Sequence, residues 1–187
     1  PWGEKREVEN TYNSLTISLR ETKIPHRLFS VSVKIYNSGL GFRYEFPVQE
    51  AFQDVFITEE NTEFKLTGDH KTFWIPGDWD IYEHLYSTSK ISKISVEPYR
   101  ANGLAQTSIP HNAVSTPVTM VTENGTHISV HEADLTDYAG MTLKVDTARH
   151  AFTSFLVCSD NTDYKVAKTT PFVTPWRTIQ VSENAAG

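Results

Sequence analysis

The chain has 187 residues, 39% of them hydrophobic, 12% aromatic and 21% charged, a balance that excludes a disordered polymer and can fill a sizeable core. Lys and Arg number 17 against 23 Asp and Glu, a formal net charge of −6. That sign argues against a general nucleic-acid or anionic-membrane binder, since both need a basic face to release counterions. The lone cysteine, Cys158, excludes an internal disulfide and a cysteine-built zinc site, and no apolar run approaches the ~20 residues that span a bilayer.

The chain opens on Pro1-Trp2-Gly3-Glu4, neither an initiator start nor a signal peptide, and residues 182–187 add no further element. The expectation is a piece of a longer polypeptide, so targeting signals are not readable from it.

Period two dominates the chain. Residues 14–19 read as a strand. From Leu28 to Tyr36 the odd positions Phe29, Val31, Val33 and Ile35 are apolar, while Ser30, Ser32 and Lys34 are polar, the alternation of a half-buried strand. Asn37-Ser38-Gly39 supplies a turn; Leu40, Phe42, Tyr44 and Phe46 then repeat the pattern until Pro47, which cannot donate to a ladder. Further strands are expected over 54–58, 63–66 and 71–75. Two segments break the pattern, and sites on a rigid β scaffold usually sit on such loops. Residues 76–86 crowd aromatics and acids, and residues 97–116 form a long irregular connection rich in Pro, Asn and Gly. A second hairpin is expected from 116–122 against 126–131 around Glu123-Asn124-Gly125, since Asn-Gly favours the positive φ of a tight turn. Strands over 141–145, 151–158 and 176–181 complete a sequence almost without helical periodicity. Short strands separated by turn residues define an all-β class, an antiparallel sandwich or barrel. With no repeat, linker or low-complexity tract, residues 1–187 read as a single domain.

Among candidate functional residues, Glu132 stands out. It shares strand parity with Ile128 and Val130, so if those face the core its carboxylate points inward at the strand's end and needs a partner. A cation, a buried arginine and a hydrogen-bonded network are the alternatives, besides a simple escape to water. His127 and His131 on a strand lie about 13 Å apart at ~3.3 Å per residue. They therefore do not form a zinc pair and are expected on the outward face. The loop Gly77-Asp78-Trp79-Asp80, with Trp74 and Tyr82 nearby, has the chemistry of a sugar site, because flat rings stack on pyranoses and carboxylates accept from hydroxyls. The competing reading folds the loop through Asx turns with its aromatics in the core. Asp160-Asn161-Thr162-Asp163 lacks the Gly and terminal Glu of a calcium loop and reads as a turn. No Gly-rich phosphate loop or nucleophile elbow occurs, and no pair of acids can be selected as catalytic by spacing.

Several blocks in order carry a resemblance: Pro1-Trp2-Gly3-Glu4-Lys5; Gly39-Leu40-Gly41-Phe42-Arg43-Tyr44-Glu45-Phe46-Pro47; Thr67-Gly68-Asp69-His70-Lys71-Thr72-Phe73-Trp74-Ile75-Pro76-Gly77-Asp78; Ile128-Ser129-Val130-His131-Glu132-Ala133-Asp134-Leu135-Thr136-Asp137-Tyr138; and Thr174-Pro175-Trp176-Arg177-Thr178-Ile179. This set resembles the N-terminal domain of glycoside hydrolase family 97, known for α-glucosidases of bacterial starch-utilisation systems and for α-galactosidases. The resemblance implies a β-super-sandwich similar to the galactose mutarotase fold, here a partial domain, packed on a catalytic (β/α)8 barrel that lies outside these residues. It implies calcium in the active site, with Glu132 of His131-Glu132-Ala133 as the ligand donated by this domain. It also implies an oligosaccharide substrate, the barrel of the same polypeptide as partner, and a periplasmic location. Asp78, Trp79 and Tyr82, in a segment the family usually writes Gly-Asp-Tyr-Asp, are expected at the substrate mouth. No catalytic acid, base or nucleophile is expected here. Calcium takes ~6–8 oxygen ligands, so the segment alone is expected neither to hydrolyse a glycoside nor to bind calcium below millimolar levels. The competing function is a non-catalytic carbohydrate-binding or bracing sandwich.

Overall fold

The structure, a computed structural model, describes residues 6–100, 109–157 and 162–185. In chain order its strands are β1 (Asn13–Arg20), β2 (Leu28–Tyr36), β3 (Gly39–Phe46), β4 (Asp54–Ile57), β5 (Glu63–Lys65), β6 (Lys71–Trp74), β7 (Ser87–Lys90), β8 (Ala113–Ser115), β9 (Val118–Val121), β10 (His127–Ala133), β11 (Met141–Asp146), β12 (Ala151–Leu156), β13 (Val166–Thr169), β14 (Phe172–Val173) and β15 (Trp176–Ser182). Among the described residues helix is confined to single turns, Glu50–Phe52, Ile91–Lys93 and α1 (Glu97–Arg100). The all-β, antiparallel expectation holds.

The strands form a nine-stranded sheet, a four-stranded sheet and a two-stranded ribbon. The large sheet runs β1-β2-β3-β15-β10-β9-β6-β7, with β14 added on β3; the small sheet runs β5-β12-β11-β8; the ribbon is β13-β4. Each expected hairpin forms. Leu28–Tyr36 pairs with Gly39–Phe46 from Tyr36↔Gly39 onward, and β9 pairs with β10 from Val121↔His127. At the second turn Gly125 takes φ +88° and its N–H donates to the Thr122 carbonyl at 3.0 Å, the left-handed backbone that the Asn-Gly pair foretold. Gly39 takes φ +141°, and an added Cβ would sit 2.1 Å from the Ile179 carbonyl oxygen. The neighbouring strand β15 therefore approaches too closely for any side chain there.

The core lies between the small sheet and one half of the large sheet. Trp74, Met120 and Val130 of β6, β9 and β10 share one buried cluster with Met141, Leu143 and Phe152 of β11 and β12. Phe42 of β3 reaches its margin against Phe64 of β5, with ring centroids 6.3 Å apart.

Four strands lie where the sequence pattern predicts none. β7 is the polar run Ser87-Thr88-Ser89-Lys90, β8 and β14 are too short to show a period, and β13 sits among turn residues. β8 falls inside the connection expected to be irregular; it forms because Thr142, Leu143 and Lys144 of β11 offer it an edge to pair with. Cys158, the Asp160-Asn161 turn and the Pro1–Lys5 block lie outside the described residues.

Candidate functional site

Glu132 occupies the position its parity predicted. It is buried on the same face as Val130, and the β10–β15 register sets it directly opposite Arg177. Residues opposed across a ladder share a face, so the arginine enters the interior as well and is 0% exposed. Arg177 Nη1 donates to Glu132 Oε2 at 2.7 Å, and the backbone N–H of Met141 donates to Glu132 Oε1 at 2.9 Å. Of the alternatives left open by the sequence, a buried arginine and a hydrogen-bonded network are both present.

A third charge completes the cluster. Glu60, buried in the segment between β4 and β5, receives Arg177 Nε on Oε1 at 2.8 Å and Nη2 on Oε2 at 2.7 Å. This is the two-pronged geometry that matches a planar guanidinium to a carboxylate. Thr62 Oγ1 donates to Glu60 Oε1 at 2.9 Å, and the Tyr44 hydroxyl lies 2.8 Å from Thr62 Oγ1. The Tyr138 ring centre sits 6.0 Å from Arg177 Cζ. Burial works against the Arg177 charge, yet the hydrogen bonds and field of Glu60, joined by the field of Glu132, outweigh it and hold the guanidinium above its ordinary pKa. Burial and then the Glu60 charge push the Tyr138 hydroxyl well above the usual tyrosine range. Two carboxylates and one guanidinium leave the cluster a net charge of −1.

Glu60 and Arg177 escaped the sequence reading. Arg177 had a legible signal, since it shares parity with Ile179 and Val181 and interrupts the inward face of an apolar strand. Glu60 had none, because it lies in an irregular segment and reaches the cluster only through the tertiary fold.

Residues 76–86 form the expected loop, entered through a bridge between Pro76 and Val114. Asp78 is buried, and its Oδ1 accepts the N–H groups of Asp80 at 2.9 Å and Ile81 at 3.2 Å, the Asx turn weighed in the sequence reading. Trp79 and Tyr82 are 37% and 59% exposed, so both rings are available at the surface. Trp74 is not: it belongs to the core, its indole N–H donating to Ser89 Oγ at 3.0 Å, and it offers no platform to a sugar. Tyr82 is tied to the charged cluster, for burial first and the Glu132 charge second raise its hydroxyl above the ordinary value.

His127 and His131 take the face opposite Glu132, as expected, but both are half-buried, with Nδ1 shielded from solvent. His127 lines a cleft of about 460 Å³ with Phe73, Tyr86, Thr119, Ser129 and Gln180. Among the described residues no group of three or more His, Cys, Asp or Glu side chains is arranged to hold a metal.

The domain is an antiparallel β-sandwich that buries a Glu–Arg–Glu cluster at one strand end. The model of the glycosyl-hydrolase 97 N-terminal domain matches residues 1–187, and the chain belongs to that family. Among solved structures it resembles a glycoside hydrolase family 97 enzyme from Pseudoalteromonas sp. strain K8 in complex with acarbose. The match has 34% identity and a TM-score of 0.82, covering 99% of this chain and 26% of that one. A variant of the same enzyme in complex with panose matches equally well. A β-arabinopyranosidase shares the fold at 23% identity and a TM-score of 0.77, over 95% of this chain and 28% of that one. The chain therefore spans about a quarter of the length of these relatives.

Proposed function

We propose that this domain serves a calcium-dependent α-glycosidase acting on α-glucosidic or α-galactosidic bonds, contributing a metal ligand and part of the active-site mouth. The observation that carries the reading is Glu132, an anionic oxygen donor held at a strand end by the Met141 N–H and by Arg177. A carboxylate offers about four acceptor positions, and the described bonds to Glu132 use one on each oxygen, so it fits a single ligand position for a hard, oxygen-seeking cation. The remaining ligands would come from the catalytic barrel of the same polypeptide. When bound, calcium supplies a positive charge that orients and polarises sugar oxygens.

The protein's own residues then divide the work. Glu132 would supply one anchored carboxylate to the metal, Asp78 shapes the loop through its Asx turn, and Trp79 and Tyr82 line the approach of a non-reducing sugar end. General acid and base come from the barrel. We infer a periplasmic location and an oligosaccharide substrate from the family resemblance.

Glu132→Ala in the full-length enzyme tests this. The expected result is a loss of activity of about 100-fold or more, on the scale of a lost ligand or transition-state contact, with loss of sensitivity to chelators. Unchanged turnover with unchanged chelator sensitivity would leave this domain a carbohydrate-binding or bracing sandwich.

A further inference from the structure

Arg177 poses an electrostatic problem for a cation site. A buried guanidinium 2.7 Å from Glu132 places a fixed positive charge beside the carboxylate that would receive a second one. Paired alone, Glu132 and Arg177 would sum to zero and the carboxylate would have little attraction left. Glu60 changes that sum. It takes two of the arginine's N–H groups in a fork, against one for Glu132, and it is itself fixed by Thr62 and, through Thr62, by Tyr44. Nothing about β-sheet packing requires an anion at that position, and a buried ion pair contributes little net stability compared with apolar residues of similar volume.

We propose that Glu60 is a positioning residue that cancels the charge of Arg177, so that Arg177 can clamp Glu132 while leaving it a net anionic ligand for calcium. The proposal rests on the reading of Glu132 as a metal ligand. Arg177 holds one carboxylate oxygen, the Met141 N–H holds the other, and Glu60 restores the negative charge that the clamp would otherwise remove. The field at the metal position is then that of one carboxylate, with its orientation fixed.

The test is calcium affinity of the full-length enzyme, measured by calorimetric titration of the metal-free protein and by the calcium-induced rise in Tm. Glu60→Gln is expected to weaken calcium binding about ten-fold, because one buried unit charge close to a divalent ion acts at low effective dielectric, and to shrink the Tm rise; a change below five-fold overturns the proposal. The double variant Glu60→Gln with Arg177→Met removes both charges and returns the cluster to −1. Because it also removes the clamp, it is expected to recover only part of the lost affinity: calcium binding tighter than in Glu60→Gln, or within about ten-fold of the wild type where that variant does not fold; weaker binding overturns the proposal. The double variant also answers the question if Glu60→Gln alone fails to fold. Glu132→Gln separates the two layers of the argument. Calcium binding equal to wild type in that variant removes the ligand reading and this proposal with it, whereas loss in Glu132→Gln without loss in Glu60→Gln removes only the role of Glu60.

Discussion

Strand β10 buries Val130 and Glu132, whereas every residue of β1 from Asn13 to Arg20 is exposed, although both strands alternate apolar with polar side chains. The two lie in the same large sheet, and what separates them is the second layer. The small sheet β5-β12-β11-β8 covers β10, β9 and β6 and stops near β3, where Phe64 meets Phe42. Beyond that margin, Leu15, Ile17 and Leu19 of β1 lie on one face, opposite Val33, Val31 and Phe29 of β2, with Leu15 56% exposed. An alternating pattern therefore specifies which face of a strand is apolar, but not what lies against it. The charged cluster sits in the covered half, where low dielectric makes its pairing matter.

The contrast can be broken most forcefully in the covered half. Phe152 is fully buried in the shared cluster, so Phe152→Ala is expected to cost about 3–5 kcal/mol, read as a drop in denaturant midpoint at unchanged slope. A loss under about 1 kcal/mol, the scale of an exposed substitution, would mean that the two sheets are not packed as described. A smaller effect belongs to the uncovered edge of the large sheet. Ile17→Ala removes a side chain that retains much of its exposure, and the expected cost is about 1 kcal/mol or less. A loss equal to that of a core residue would show that this edge of the sheet is covered in solution.

The smallest effect sharpens the edge of the covered half, where Ile91 is anchored beside Asp69. The Asp69 carboxylate accepts the Ser92 N–H at 2.8 Å and the Ser92 hydroxyl at 2.7 Å, and the backbone bond is the main cause of its lowered pKa. A depressed folded pKa gives stability that is complete above the unfolded value, about 3.9, and lost as pH falls through the folded value. The stability difference between wild type and Asp69→Asn is thus expected to be constant near neutrality and to vanish on strong acidification, measured by thermal unfolding across pH. A difference independent of pH down to the acid limit would remove Asp69 as its source.

Much of this organisation was legible because the signals were local. The Leu28–Tyr36 alternation, the Asn124-Gly125 turn and the inward parity of Glu132 each need only neighbouring residues, and each matches the structure. The polar strand Ser87–Lys90 and the short strand Ala113–Ser115 were not legible, because partners distant in sequence hold them. The site divides the same way. Glu132 announced a need for a partner, and Arg177 carried a parity signal, but Glu60 is brought in by tertiary packing alone. Trp74, grouped with Trp79 by sequence proximity, is separated from it by burial: strand parity turns one indole into the core and the loop turns the other outward.

The opposition of Glu132 and Arg177 has a consequence for how the strands find their alignment. Side chains in a ladder alternate faces, so sliding β15 by a single residue against β10 would reverse every one of its side chains. Arg177 would leave the interior, and two carboxylates would be stranded there without a cation. Such a misaligned sheet is penalised by charge as well as by exposed apolar surface. The triad therefore acts as a registration mark, drawing on three stretches far apart in the chain, around residues 60, 132 and 177, and it fits only when all three have arrived.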